Sequence, residues 1–235
     1  MLFSVVIPLY NEEEILVDAV EELHGELTHR FAGNDFEILL VENGSSDATP
    51  SLCAELDARY SGVRALHCPQ PDYGAALKMG ILEARGEYVV GDEIDLGDIS
   101  FYERALTLLQ EEDLQMIVGS KALPDSGDDR PAVRRAATRT INLMLRVVLG
   151  FQGTDTHGLK VFHRESLLPV VRSCLVGKDL FASELVIRAE RAGIRILEIP
   201  VALHEKRPTA IHLFRRVPGV FRGLYQLYRV LGPRR

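Results

Sequence analysis

The first ninety residues repeat one pattern, in which a short apolar run is followed by a polar loop and then by a helical stretch. The apolar runs cover residues 3–9, 36–41, 63–67 and 88–91. Strands that alternate with helices over short links favour a parallel sheet with helices packed on it. The fold class is therefore predicted to be α/β, with a doubly wound, mostly parallel sheet.

Local signals place the other elements of this sheet. Asn11 is a good helix N-cap and Glu14 follows three residues later, so the first helix is predicted to begin just after Asn11. Similar patterns predict helices over 49–60 and 74–84, and strands over 115–118 and 194–201. The 115–118 strand looks buried, and the 194–201 strand is expected to rejoin the same sheet.

Charge divides the chain into two parts. Residues 206–235 contain eight Lys and Arg and no Asp or Glu, which leaves 19 basic and 34 acidic side chains in residues 1–205. An acidic body argues against nucleic acid as a partner, whereas a basic tail suits an anionic surface. We therefore predict a domain over 1–205 and a basic helical tail over 206–235.

The tail has the pattern of a basic amphipathic helix. Pro218 is predicted to open it, and a shorter helix is predicted around 211–216. Together with an apolar stretch at 141–149, these helices could lie on a membrane surface. The alternatives are that they cap the protein's own core, or form a contact between copies in a homo-oligomer.

The same sequence indicates a cytoplasmic location. The N-terminus has no basic region followed by a cleavage site, and no apolar run approaches the length of about 18 residues that spans a bilayer. Three cysteines are an odd number without metal-ligand spacing, which indicates a reducing compartment. The expected place is peripheral, at the cytoplasmic face of a membrane.

A cluster of carboxylates follows the fourth apolar run. Glu93 and Asp95 are two residues apart, so on an extended strand they would point the same way. Such a pair, at the strand end where open α/β sheets bind ligands, can hold a divalent cation that in turn holds a diphosphate. The alternative is a solvated acidic turn.

Three more polar loops are expected at the same edge of the sheet. They lie at residues 8–12, 42–47 and 119–121, and offer an aromatic ring, amides, acids and a lysine. This combination suits a nucleoside diphosphate with a bound metal. The chain has no Walker loop and no G-x-G-x-x-G fingerprint, which argues against P-loop ATPases and classical dinucleotide enzymes.

These segments carry a family resemblance. Residues 4–13 (SVVIPLYNEE) resemble the opening of family-two glycosyltransferases of the GT-A fold, which is Rossmann-like. Residues 41–49 (VENGSSDAT) are similar to that family's VDDGSSDGT segment, and 93–96 (EIDL) stand where it has DADL. Residues 117–121 (IVGSK) are similar to its IGSR segment.

The resemblance continues downstream, toward the dolichyl-phosphate mannosyltransferase branch. Residues 131–139 resemble that branch's P-x-x-R…S-R segment, and 155–160 (DTHGLK) resemble its D-T…G-F-K turn. Residues 181–185 and 198–201 resemble its F…E-L and E-I-P-V segments. In all, the match covers roughly residues 3–207.

The resemblance implies roles for residues on the donor side. The nucleoside pocket would be lined by Pro8, Tyr10, Glu12 and Asn43, with Asn43 meeting the base. Glu93 and Asp95 would hold Mg²⁺ or Mn²⁺ on the diphosphate of a GDP- or UDP-sugar, and Asp95 would also contact the nucleotide and act in catalysis. The family has Asp at both position 43 and position 93. Gly97 also replaces a polar residue, so Asp98 or water would complete the metal site.

The resemblance also implies the acceptor side of an inverting sugar transfer. Lys121, Arg134 and Thr138 would face the phosphates of donor or acceptor. A polyprenyl phosphate is already ionised and needs no base, whereas a soluble hydroxyl acceptor would need one, for which Asp155 or Glu184 are the candidates. A third alternative is a nucleotide-sugar binding protein that has lost catalysis.

Overall fold

The structure is a computed structural model, and it describes residues 1–31, 35–123, 126, 132–201 and 213–233. Within these ranges, side chains are described except at 132–134, 137, 179, 213–218 and 220.

Among the described residues, seven strands form one mixed sheet in the order β3-β2-β1-β4-β6-β5-β7. They are β1 Phe3–Leu9, β2 Phe36–Glu42, β3 Val63–His67, β4 Tyr88–Gly91, β5 Met116–Ser120, β6 Lys160–His163 and β7 Ile196–Pro200. All neighbouring pairs are parallel except the two that involve β6, which runs antiparallel to both β4 and β5. The predicted α/β class and mostly parallel sheet are confirmed.

Eight α-helices are described, and they cover both faces of the sheet. They are α1 Leu16–Arg30, α2 Thr49–Arg59, α3 Tyr73–Glu83, α4 Ile99–Glu111, α5 Ala132–Leu149, α6 Arg164–Ser173, α7 Phe181–Arg191 and α8 Leu213–Leu231. Helices α1, α2 and α4 pack on one face, and α3 and α5–α8 contribute to the core on the other. Along β1, Val5 and Ile7 enter the first core and Val6 the second, as strand alternation requires.

The start of α1 differs from the prediction. The helix begins at Leu16, whereas the N-cap pattern placed its start just after Asn11. Asn11 has a φ of 54°, and its side-chain oxygen accepts a hydrogen bond from the N–H of Ser46 at 2.8 Å. Asparagine tolerates this left-handed conformation and prefers local hydrogen bonds, so it serves the loop here instead of the helix.

Strand β6 was not predicted from the sequence. It has four residues, and a loop at 150–159 precedes it. Because it is antiparallel, it begins at the edge of the sheet where the parallel strands end. It therefore delivers the loop before it to that edge, beside the ends of β4 and β5.

The C-terminal helix also differs from the prediction. One helix, α8, runs through Pro218, whereas the sequence suggested that Pro218 opens a helix after a separate shorter one. Lys206 to His212 lie outside the described residues. Leu227 is 1% exposed and belongs to the second core, and Leu224 and Leu231 pack against that core. The packed face of α8 thus covers the core of its own chain, as one of the sequence alternatives held.

Candidate active site

The loops after β1 and β2 form one side of the site. The backbone N–H and the side-chain NH₂ of Asn43 both donate to the carbonyl oxygen of Leu9, at 2.9 Å each. The side-chain oxygen of this buried residue therefore remains available as an acceptor. An asparagine offers both donors and an acceptor, and one of the two side-chain N–H groups of Asn43 is used internally. Asn43 would then accept an N–H from a base, as the family's carboxylate would.

The other nucleoside-pocket candidates lie around Asn43. Pro8 is buried in β1, where it pairs with Val41, and the next side chain but one, Tyr10, is 49% exposed. The N–H of Glu12 donates to Thr49 Oγ1 at 2.9 Å, which ties this loop to the start of α2. Tyr10 is thus not a core residue, and its ring is accessible to a ligand.

Glu42, where the family has Asp, holds the β2 loop together. Its buried carboxylate accepts the N–H of Ser45 and lies 2.5 Å from Nδ1 of His67, at the end of β3. The loop also holds Asn11, through Ser45 Oγ and the N–H of Ser46. The ends of β1, β2 and β3 are therefore linked by direct hydrogen bonds.

The carboxylate pair lies in a turn beyond β4. The strand ends at Gly91, and the N–H of Leu96 donates to the carbonyl of Glu93 at 3.0 Å. The expectation that Glu93 and Asp95 point the same way because they alternate on a strand is therefore wrong. Glu93 is exposed and Asp95 is half-buried. Asp98 caps α4 by accepting the N–H of Phe101 at 3.0 Å, so its carboxylate supports the helix.

The carboxylates of this turn fit a metal ion that a bound diphosphate would also coordinate. Among the described residues, no three His, Cys, Asp or Glu side chains cluster closely enough to hold a metal by themselves. Two carboxylates on one loop fit Mg²⁺ or Mn²⁺ when the remaining ligands are diphosphate oxygens and waters, since hard cations prefer oxygen. Glu93 and Asp95 can thus contribute to a site that a nucleoside diphosphate would complete.

A buried acid lies directly before the pair, and sequence analysis missed it. Asp92 Oδ1 accepts the N–H of Glu93 at 2.7 Å, and its Oδ2 accepts the hydroxyl of Tyr102 on α4. The pKa of Asp92 is raised to about 7, mainly by burial and also by the charges of Glu93 and Asp95, while both hydrogen bonds act to lower it. A third acid directly after a strand was the available sequence signal.

Across the sheet edge, the turn after β5 carries Lys121. This side chain is half-buried, and its backbone N–H donates to Asp155 Oδ2 at 3.4 Å. Asp155 is 3% exposed, and its Oδ1 accepts the N–H of His157 at 2.8 Å. The loop before β6 packs tightly here, because a Cβ on Gly158 would lie 1.6 Å from the carbonyl oxygen of Gly119.

A second lysine, absent from the sequence-based site, lies beside Asp155. Lys160 is 5% exposed, and its Nζ donates to the carbonyl of Gly158 at 2.7 Å. Burial lowers its pKa to about 8, while the charges of Asp155 and Glu93 act to raise it. The structure therefore brings Glu93, Asp155, Lys121 and Lys160 into one electrostatic group.

Comparison with known proteins identifies the family. The model of "Glycosyl transferase family 2" matches residues 4–167. The chain belongs to glycosyl transferase family 2. The match contains the loops that carry Tyr10, Asn43, Glu93, Lys121 and Asp155. Membership of this family, which the resemblance implied, is thereby confirmed.

Two curated relatives of this family-2 glycosyltransferase extend beyond the family match. The chain is 29% identical over 220 residues to glycosyltransferase AglD of Haloferax volcanii, covering 92% of this chain and 35% of that protein. It is 31% identical over 217 residues to dolichyl-phosphate beta-glucosyltransferase ALG5D of Trichomonas vaginalis, covering 86% and 65%. The chain thus spans about a third and just under two thirds of these relatives.

Solved structures of the same architecture confirm the GT-A fold. Glucosyl-3-phosphoglycerate synthase of Mycobacterium tuberculosis, in complex with Mn²⁺, UDP-glucose and phosphoglyceric acid, superposes with a TM-score of 0.65 at 20% identity. The match covers 100% of this chain and 81% of that one. Mannosyltransferase PcManGT of Pyrobaculum calidifontis, in complex with GDP-mannose and Mn²⁺, also gives 0.65, at 18% identity over 97% of this chain and 63% of the other.

The structure describes the surroundings of two more sequence-based candidates, Glu184 and Thr138. Glu184 is fully buried: its Oε1 accepts Arg188 Nε at 2.7 Å, and its Oε2 accepts two backbone N–H groups, of residues 175 and 176. Such a carboxylate braces the link between α6 and α7, so its candidacy as a base gains no support. Thr138 is half-buried in α5, and the side chain of Arg134 lies outside the described residues.

Proposed function

We propose that this glycosyltransferase moves a sugar, with inversion, from a nucleoside diphosphate sugar to a polyprenyl phosphate at a membrane surface. The observation that carries the proposal is the charge arrangement at one edge of the sheet. Glu93 and Asp95 lie on the loop after β4 as acids that can hold a metal, while Lys121 follows β5, which only β6 separates from β4, as a cation. Carboxylates for the cation and a cation for the phosphates are the two halves of a diphosphate site.

The donor half combines recognition with charge neutralisation. Asn43 presents a fixed acceptor to the base, and Pro8, Tyr10 and Glu12 line the nucleoside. A divalent cation, Mg²⁺ or Mn²⁺, would neutralise the charge that grows on the departing diphosphate. Both solved relatives described above were crystallised with Mn²⁺ and a nucleotide sugar, one with UDP and one with GDP, which supports this half without choosing the base.

A phosphate acceptor needs cations that bind it but no base that activates it. A phosphate monoester oxygen is anionic at neutral pH, so it can attack the anomeric carbon without losing a proton. We assign the phosphates of donor and acceptor together to Lys121, Arg134 and Thr138. The name of the dolichyl-phosphate beta-glucosyltransferase relative supports a lipid phosphate acceptor. Asp155, which is buried and beside Lys160, would be the base only for a hydroxyl acceptor.

The membrane part of the proposal rests on a surface that α5 and α8 form together. The two helices pack against each other, and both leave large apolar side chains exposed: Leu143, Val147, Phe221, Tyr225 and Tyr228. Exposed arginines at 139, 146, 222 and 229 lie on the same helices. Apolar side chains with a basic rim suit an anionic bilayer surface. No described helix is long and apolar enough to cross the bilayer.

The proposal is tested with a panel of UDP- and GDP-sugars, each with Mg²⁺ or Mn²⁺, and with or without polyprenyl phosphate in vesicles. We expect turnover that requires both the metal and the lipid phosphate. Asp95→Ala should reduce kcat/KM by about 100-fold or more, while Glu111→Ala, a change at an exposed residue of α4, should leave it unchanged.

Each alternative gives a different result in this panel. Transfer to a soluble hydroxyl compound but not to the lipid phosphate would favour the second acceptor class, which the phosphoglyceric acid bound in one solved relative illustrates. Nucleotide binding without any turnover would favour a binding protein. Unchanged turnover in Asp95→Ala would contradict the metal assignment.

A further inference from the structure

Glu198, in the middle of β7, makes more hydrogen bonds to the candidate site than a strand residue needs. Its Oε1 accepts the backbone N–H groups of Thr154 at 2.6 Å and of Asp155 at 3.2 Å. Its Oε2 accepts the hydroxyl of Thr154 at 2.5 Å. One carboxylate therefore fixes the backbone of the loop that carries Asp155.

The same carboxylate reaches the turn after β5 through a directed chain. Because the hydroxyl of Thr154 donates to Glu198, the Ser120 hydroxyl 2.7 Å away must donate to Thr154 Oγ1. Ser120 Oγ in turn accepts the N–H of Ala122 at 3.1 Å. Hydrogen bonds in such a chain polarise and strengthen one another.

In the sequence, Lys121 lies between the two residues that the hydrogen-bond chain from Glu198 connects. On one side is Ser120 and on the other is Ala122, while the N–H of Lys121 itself donates to Asp155 at 3.4 Å. Each of these contacts leads back to Glu198, either through Thr154 or through Asp155. The backbone beneath Lys121 is thus fixed from a strand that contributes no side chain to the proposed substrate site.

The backbone of the loop is shaped to let Glu198 approach. A Cβ on Gly153 would lie 2.4 Å from Glu198 Oε1, closer than real Cβ contacts come. Only glycine at this position leaves room for the carboxylate. The neighbouring residue therefore supports the same contact independently of the hydrogen bonds.

We propose that Glu198 is a positioning residue, which sets the place of Lys121 and Asp155 against the phosphates of the reaction. It acts through Thr154 and Ser120 and does not touch substrate. This inference rests on the proposed function for the role of Lys121, but the mechanical link between Glu198 and the turn does not.

The link is tested by amide hydrogen exchange on the full chain. Glu198→Ala should lower protection of the Lys121 and Ala122 amides by about tenfold, the effect of one lost hydrogen bond. Glu198→Gln should retain it, because its oxygen can accept both N–H groups and its NH₂ can donate to Thr154. Glu111→Ala is the matched control. Unchanged protection at Lys121 and Ala122 in Glu198→Ala would overturn the inference.

A milder variant covers the case in which Glu198→Ala does not fold. Thr154→Val removes the hydroxyl link to Ser120 but keeps the backbone bonds to Glu198. It should loosen the Ala122 amide without changing the Asp155 amide. Equal effects on both amides, or none on either, would contradict the directed chain.

A double-mutant cycle tests the catalytic consequence. If Glu198 acts through Lys121, the variant with both Lys121→Met and Glu198→Ala should have kcat/KM within about twofold of the worse single variant. Independent effects would multiply and would refute the positioning role. If the unmodified protein transfers no sugar, the proposed function fails, whereas the exchange experiment still tests the link.

Discussion

The side-chain oxygen of Asn11 accepts a 2.8 Å hydrogen bond from the backbone N–H of Ser46. This contact joins the loop after β1 to the loop after β2, and Asn11 makes it from a left-handed conformation with φ of 54°. The two loops carry Tyr10 and Asn43, so the shape of the proposed nucleoside pocket depends on this link.

Substitutions at Asn11 should separate the hydrogen bond from the backbone conformation. Asn11→Gly keeps the conformation and loses the acceptor, whereas Asn11→Ala loses both. We expect urea unfolding to show losses of about 1 kcal/mol for Asn11→Gly and about 2 kcal/mol for Asn11→Ala. Both should weaken UDP or GDP binding measured by calorimetry. Equal stability of the two variants would show that the conformation is not strained.

The length of the Glu93 side chain should matter to the metal. Glu93→Asp restores the residue usual in the family but withdraws the carboxylate by about 1.5 Å. Because the shorter side chain draws its carboxylate back from the site that it would share with Asp95, we expect Mn²⁺ to bind about tenfold more weakly in the presence of UDP or GDP. Calorimetry measures the dissociation constant of Mn²⁺, and Asp95→Ala shows how large the loss is when one carboxylate is removed. Tighter binding by Glu93→Asp would show that the turn adapts to the shorter acid.

The protonation of Asp92 should appear in the pH dependence of stability. Its pKa in the folded protein is about 7, raised by burial from an ordinary value near 4. Between these pH values the folded protein keeps a proton that the unfolded chain releases, so rising pH favours unfolding. The contribution is fully present below about pH 4 and is lost as pH rises through 7.

Comparison with Asp92→Asn isolates this group, because the other titrations cancel. Measured without divalent metal, the stability of the unmodified protein relative to Asp92→Asn should fall from pH 4 to 7, by an amount on the order of a few kcal/mol, and then level off. A difference that is constant with pH would mean that the pKa of Asp92 is not raised.

The α5–α8 surface should bind anionic vesicles. Val147 is 77% exposed, so Val147→Glu should preserve the fold while reducing binding to phosphatidylglycerol vesicles by about tenfold at low salt. Leu175→Glu, at a residue that is 75% exposed outside both helices, is the matched control. Sedimentation would contradict the membrane assignment if the two variants bind equally or if the unmodified protein does not bind.

The elements that carry the proposed donor site are mostly predictable from the sequence, because local patterns along the chain determine them. Strands β1–β4 alternate with α1–α3 over short links, and their order along the chain implies a parallel sheet. Asn11 was assigned wrongly because its N-cap preference and its loop preference give the same local signal. Only the position of Ser46, 35 residues away in sequence, decides between them.

The elements on the proposed acceptor side are less predictable from the sequence, because contacts between residues far apart in the chain determine them. Strand β6 has four residues and no alternation that would distinguish it from a loop. Lys160 was visible in the D-T-H-G-L-K segment, but its burial beside Asp155 depends on how β6 inserts between β4 and β5. The role of Glu198 likewise depends on a loop more than 40 residues earlier in the chain.

Because β6 is antiparallel, the two sides of the proposed site are connected to the sheet in opposite ways. The loops on the proposed donor side follow the ends of parallel strands, whereas the loop at 150–159 precedes the start of β6. Insertions there can lengthen the proposed acceptor side of the site without shifting the strands on the donor side. In the proposed reaction, remodelling of this one loop could therefore change the acceptor while the proposed nucleoside pocket stays the same.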